Sequence, residues 1–182
     1  MSVVLLFTVT LAPIAPHDEF PVRAELQGLY DEISQVTQQL ETASDVDLFH
    51  SLLYTSDWVF IDATGQRHSW WQVRQEAVRT LESPRVESMT QSIQTLSLVP
   101  TGATVLVNVT TVRTMVDNDG RYGRKGGSHT LTEATVFRDG WIKVADDWKL
   151  RSREQIGQPK VLVDRPPSEW QPVRRCLPLH RA

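Results

Sequence analysis

The feature that most constrains this chain is a change of hydrophobic period close to Pro84. From Val22 to about Thr42 the apolar residues Leu26, Leu29, Tyr30, Ile33, Val36 and Leu40 recur at three- and four-residue steps, which predicts an amphipathic helix. Val46, Phe49, Leu52 and Leu53 share one face of a shorter second helix, with Ser44 as N-cap and Asp45 and Asp47 placed against the positive end of its dipole. Residues 57–62 are rich in strand formers and end at the turn pair Thr64-Gly65. Ser69 caps a third helix from Trp70 to Glu82, terminated by Pro84. Beyond that proline the period becomes two. Segments 86–99, 104–116, 128–144 and 148–156 read as four strands joined by the turn-rich stretches "PTGA", "DNDGRYGRKGG" and "ADD". Helices followed by a meander define an α+β domain over residues 22–156, in which three helices pack on a strongly bent antiparallel sheet.

The ends differ from this domain in composition. Residues 157–182 are Pro-rich and aperiodic, and read as an extended surface tail. Residues 1–20 contain an apolar run of signal-peptide length that ends in Ala12-Pro13-Ile14-Ala15, although no Lys or Arg precedes it. An exported protein, periplasmic or secreted, is therefore expected over a cytoplasmic one, the alternative being an N-terminal arm packed on the domain. The run is too short to span a bilayer, so stable membrane insertion is not expected.

Charge and metal-ligand counts narrow the function classes. A net charge of −3 and a sequence pI near 5.9 supply no basic field for nucleic acid. The single cysteine, Cys176, can form no internal disulfide, and the five His at 17, 50, 68, 129 and 180 lack short ligand spacing. The stretch "GRYGRKGG" lies between strands without the helix that a phosphate loop requires. No metal and no cofactor is expected.

The faces of the sheet locate a candidate site. A symmetric hairpin across "DNDGRYGRKGG" pairs Val109 with Thr135, Thr111 with Glu133, Arg113 with Leu131 and Met115 with His129. One face then carries Val105, Val107, Val109 and Phe137 together with the ionisable residues Arg113, His129 and Glu133. That mixture suits a concave site, where enclosure shifts pKa values, although Arg113 and Glu133 are also placed to form a structural ion pair. The opposite face, with Asn108, Thr110, Thr114, Thr130 and Thr132, suits water or the sheet of a second copy in a homodimer. Across "ADD", Val144 would face Trp148 and Ile142 would face Leu150, which buries even positions instead. A bulge at Asp139-Gly140 would reconcile the two hairpins.

Two stretches carry a resemblance to a known family. "YTSDWVFIDATGQRHSWW", residues 54–71, sets a tyrosine ahead of a strand that ends on Asp62, and gathers half of the chain's six Trp around it. "DGWIKVADDWKLRSREQ", residues 139–155, is an acid, a Trp, a Lys-bearing strand, a tight acidic turn and Trp-Lys-Leu. In this order, and over about residues 23–156, the chain resembles the nuclear transport factor 2-like superfamily in its SnoaL-like branch.

The resemblance implies a cone of helices and curved sheet, open at one end, with an aromatic-lined pocket inside. Tyr30, Tyr54, Trp58, Trp70 and Trp71 would line or lid it, or plug it as core. Asp62 falls where the ketosteroid isomerase relatives carry a general base, and it would serve either as that catalytic base or as a cap on the turn at Thr64-Gly65. The chain departs from the isomerase pattern at the oxyanion donor: Gln38 stands near the position of the isomerase tyrosine, with Tyr30 two turns earlier. The expected function is binding of a small apolar or amphipathic molecule in the cone. The alternatives are a cofactor-free isomerase, cyclase or hydratase using Asp62 with Arg113, Tyr30 or His129 as electrophilic partner, and a structural dimerisation module.

Overall fold

The computed structural model describes residues 19–81, 86–120 and 125–164. The elements run α1 (Glu19–Thr37), α2 (Ala43–Leu53), β1 (Tyr54–Ile61), β2 (Arg67–Ser69), α3 (Trp70–Leu81), β3 (Val86–Val99), β4 (Gly102–Val116), β5 (Ser128–Val144) and β6 (Asp147–Asp164). Pro21 falls in the first turn of α1, where its missing N–H costs no helical bond. The cap of α2 is Thr42 rather than Ser44: Thr42 and Asp45 form a reciprocal capping box, so the helix starts two residues earlier than a cap at Ser44 would allow.

Six strands form one sheet in the order β2-β1-β6-β5-β4-β3. The sheet is mixed rather than wholly antiparallel, because β1 runs parallel to β6, with Tyr54 opposite Leu150 and Ile61 opposite Glu154. The β4–β5 register is the one the symmetric hairpin predicts, with Val109 opposite Thr135 and Met115 opposite His129. Odd positions of β4 are buried from Ala103 to Thr111, and Trp141, Asp139, Thr135 and His129 of β5 share that face.

The closing hairpin corrects the expected even-face burial. Ala145 (φ 50) and Asp146 (φ 75) form a tight two-residue turn, which sets Val144 opposite Asp147 and Lys143 opposite Trp148. Trp141 then meets Leu150, and the odd face of β5 stays inward throughout. The irregularity near Gly140 sits on β6, where Arg151 is the extra residue between Leu150 and Ser152. A Cβ at Gly140 would lie 2.6 Å from Ser152 Oγ, so any larger residue there would require that hydroxyl to turn aside.

The strand β6 does not end at Ile156. It bulges at residues 157–159 opposite Thr135, with Gly157 at φ 74 and Pro159 lacking an N–H to donate, and then pairs again from Lys160–Ala134 to Asp164–Thr130. Gly and Pro signal a strand end in sequence; here they make a bend, and residues 157–164 belong to the sheet. The rest of the expected tail, Cys176 included, lies outside the described residues, as do residues 1–18.

α1 crosses the concave face over β3, anchored by Arg23 to Ile93 O and by Gln27, which donates to Gln91 O and accepts from Ile93 N. Leu26, Tyr30 and Ile33 thereby bury against Ile93, Leu96, Val105, Val107, Trp141 and Leu150. Complete burial of each aliphatic side chain among these contributes about 1.5–3 kcal/mol. α2 and α3 close the other side over β1.

Candidate functional site

The deepest part of the concave face holds a polar network. Asp139 is fully buried, and its carboxylate accepts from Arg153 Nε (2.9 Å) and Nη2 (2.7 Å) and from Tyr30 Oη (2.8 Å). Trp141 Nε1 donates to Tyr30 Oη at 2.8 Å. Arg153 reaches Gln91 Oε1 at 3.1 Å and lies 4.9 Å above the Phe137 ring. Burial, then the charge of Asp139, pushes the Tyr30 hydroxyl far above its ordinary range. A phenol so enclosed, with its proton and its lone pair both engaged, ties α1 to β5 and is not poised to give up a proton.

Beside this network, α2, β1 and α3 bring four aromatic rings together. The His50 ring stacks on Trp70 at 3.7 Å and on Tyr54 at 5.0 Å, and Trp58 meets Tyr54 edge-on at 5.0 Å. Burial lowers the His50 pKa, with Asp47 opposing, so the ring is neutral. Burial also raises the Tyr54 pKa. Within this cluster the buried atoms His50 Nε2 and Trp58 Nε1 have no hydrogen-bond partner among the described residues. Trp71, expected in the pocket, is 60% exposed and lies under Arg74 on the outer face of α3. Adjacent helix positions point about 100° apart, so Trp70 and Trp71 cannot both face inward.

Asp62 follows β1 and closes the turn to β2. Its Oδ1 accepts from Thr64 N (2.8 Å), Thr64 Oγ1 (2.6 Å) and Gln66 N (3.0 Å), while Oδ2 lies 2.9 Å from His68 Nε2. These bonds, those of Thr64 and His68 foremost, hold the carboxyl well below the usual carboxylate range. The geometry is that of a turn cap paired to a histidine. His68 lies opposite Phe60, whose ring is 6.4 Å from Phe137, so the pair stands at the rim of the concave face.

Arg113, Glu133 and His129 share the concave face towards the far end of the β4–β5 hairpin, as Thr111–Glu133, Arg113–Leu131 and Met115–His129 pairing requires. No ion pair joins Arg113 to Glu133 among the described residues. A hollow of about 340 Å³ opens between the ends of α1 and α3, α2 and the strand ends, lined by Thr37, Leu40, Val46, Ala77, Leu81 and Arg113, among others. His129 is 4% exposed, and neither ring nitrogen has a partner among the described residues.

A larger hollow of about 530 Å³ lies between α1, α2 and the β5–β6 turn, and none of the sequence-predicted site residues lines it. Among the described residues no cluster of three His, Cys, Asp or Glu could hold a metal ion, and no helix is long and apolar enough to cross a membrane.

The expected site residues thus fall into separate groups. Tyr54 and Trp58 meet in the aromatic cluster, Tyr30 lies in the deep network, Asp62 at the rim, and Arg113, His129 and Glu133 at the hairpin. Sequence reasoning missed Asp139, Arg153, His50 and His68. Asp139 and Arg153 stood within the family-like closing hairpin, and strict pairing across the two-residue turn with one bulge would have set them opposite one another. No local pattern marked His50 as an aromatic-cluster member.

No family model matches the sequence, and no curated protein matches it. Among solved structures, a hexachlorocyclohexane dehydrochlorinase (LinA, type 2) superposes with a TM-score of 0.52 at 11% identity, over 88% of this chain and 99% of that one. A protein of unknown function from Mycobacterium tuberculosis superposes with a TM-score of 0.51 at 18% identity, over 85% of this chain and 79% of that one. The type 3 LinA dehydrochlorinase from Novosphingobium barchaimii gives 0.50 at 12% identity, over 81% and 94%. At these identities the likeness is one of fold.

Proposed function

This chain has the nuclear transport factor 2-like fold, and from that premise we propose that it binds a small apolar or amphipathic molecule within the cone, in the manner of a SnoaL-like domain without assigned turnover. The observation that carries the reading is the set of buried ring nitrogens without partners among the described residues: His50 Nε2 and Trp58 Nε1 in the aromatic cluster, and both nitrogens of His129. Buried polar groups are nearly always satisfied, and one left open costs about 1–3 kcal/mol. A bound molecule with one or two polar atoms offsets that cost, and the surrounding Tyr54, Trp58 and Trp70 rings supply rigid apolar area. Trp58 and Trp70 are also reporters. Titration with a panel of apolar and amphipathic compounds should give at least one saturable change in tryptophan emission that raises the melting temperature and is lost in Trp58→Phe. A panel without any such response, together with an experimental density map in which side chains fill the cone, would sink the reading.

A second reading, acid–base turnover, is favoured by the 2.9 Å contact of His68 Nε2 with Asp62. If Nε2–H donates to Asp62, Nδ1 is left as the acceptor, and the base is His68 oriented by Asp62 rather than Asp62 itself. Two of the proteins that share the fold are hexachlorocyclohexane dehydrochlorinases, so the fold is compatible with turnover. Loss of turnover in both His68→Gln and Asp62→Asn, with ligand binding retained, would favour this reading over pure binding. Export is part of the proposal, motivated by the apolar run within residues 1–18 and tested by whether the protein isolated from its host lacks that run.

A further inference from the structure

We propose that the hollow at Arg113 takes a monoanion with a short apolar tail, a carboxylate being the simplest case, with its head on Arg113 and its tail against α1, α2 and α3. The proposal rests on the cone-binding reading above and specifies the chemistry of the ligand. Its walls come from two kinds of element. The helices contribute Leu40, Val46, Ala77 and Leu81, and Val86 of β3 faces the same space, so most of the lining is aliphatic. The sheet contributes Arg113, opposite Val86 across β3–β4 and opposite Leu131 across β4–β5.

Arg113 is partly buried, and among the described residues no hydrogen bond or ion pair engages its guanidinium. A guanidinium stays charged at any accessible pH, so it cannot relieve partial desolvation by losing a proton. It needs an anion, and its planar fork matches a carboxylate with two parallel N–H donors. Among the described residues, Glu41 in the lining and Glu133 and Asp117 at same-parity positions are the acids placed to compete, and Asp117 has interactions of its own. Glu133 shares the face but sits opposite Thr111 and forms no pair with Arg113. Glu41 lines the rim from the exposed end of the helical layer and has interactions of its own.

The next residue pair along the same face strengthens the case. Met115 lies opposite His129, which makes His129 a diagonal neighbour of Arg113. Its ring lies behind the lining of the hollow, is 4% exposed, and lacks both a donor and an acceptor partner among the described residues. In either tautomer one nitrogen carries a proton and can donate to an oxygen anion held at Arg113. The volume of about 340 Å³ is at the lower end of small-molecule sites, which favours a chain of modest length over a polycyclic body.

The test uses the full-length protein, with octanoate and 1-octanol as probes, which differ in charge and little in shape. Calorimetric titration should show octanoate binding about tenfold or more tightly than octanol, the range expected of a charge-assisted hydrogen-bonded pair. Arg113→Gln should remove that preference while leaving octanol affinity unchanged, and Arg113→Lys should keep most of it. Equal affinity of the wild type for the two probes overturns the anion assignment and leaves cone binding standing. A preference that survives Arg113→Gln overturns the role of Arg113. Binding of neither probe overturns this proposal; the wider panel then decides separately on cone binding.

Discussion

Removing one oxygen from the deep network gives the sharpest test of how this cone is held together. In Tyr30→Phe, Asp139 loses the donor at 2.8 Å, and Trp141 Nε1, also at 2.8 Å, loses its acceptor. Losing a bond to a charged group costs about 1.5–3 kcal/mol and orphaning a buried N–H about 1–3 kcal/mol. Arg153 keeps its two bonds to Asp139, so the carboxylate is not left unpaired and the lower half of the first range applies. The expected loss is about 3 kcal/mol, which for a chain of this length lowers the melting temperature by roughly 9 °C. Urea unfolding followed by circular dichroism measures it, with an unchanged m-value showing that stability alone has moved. The double variant Tyr30→Phe/Trp141→Phe separates the two contributions: with the orphaned N–H gone, the second substitution should cost less than it does in wild type, by about 1 kcal/mol or more. A loss below about 1 kcal/mol for Tyr30→Phe, or strict additivity in the double variant, would refute the network as a shared, buried anchor.

Other expectations follow from the same geometry. Asp62→Asn should destabilise the protein at pH 7, because the amide cannot accept the full set of bonds from Thr64, Gln66 and His68. Since the folded carboxyl is held below its unfolded pKa of about 3.9, that stability is present above pH 4 and lost as pH falls further; urea midpoints of the two proteins should converge in acid, and a constant gap would count against the cap. In a Tyr122→Phe background, Tyr30 and Tyr54 should give no tyrosinate absorbance while the protein is folded, because burial raises both; their contribution to stability then falls as pH climbs above about 10, and ionisation without unfolding would contradict the burial. A chain ending at Asp164 should unfold cooperatively, whereas one ending at Ile156 should lose several kcal/mol with the Lys160–Asp164 ladder, roughly one per hydrogen bond removed; equal midpoints would place that ladder outside the cooperative unit. If the threonine-bearing face joins two copies, Thr110→Arg should shift sedimentation from two chains towards one, and an unchanged profile removes the dimer proposal.

Much of the secondary structure was written in local pattern. The three-to-four spacing of Leu26, Tyr30 and Ile33 and the alternation through Val105, Val107 and Val109 reflect neighbours only a few residues apart, and the structure keeps both. The β4–β5 register was also legible, because one face had to be buried and a slip of one residue would have exposed it. The site was less so. Gly157 and Pro159 signal a stop when read alone, and only the return of β6 to pairing with Ala134 through Thr130 makes them a bulge. Nothing near Trp70 and Trp71 says which ring turns inward; packing of α3 on β1 and α2 decides it. The sequence alone determined helices, strands and which residues alternate, since those depend on the chain's own period. Only the tertiary structure set β1 parallel to β6, brought Tyr30 to Asp139 and Arg153, and left Arg113 without Glu133, because pairing across long sequence separations depends on where the bent strands meet.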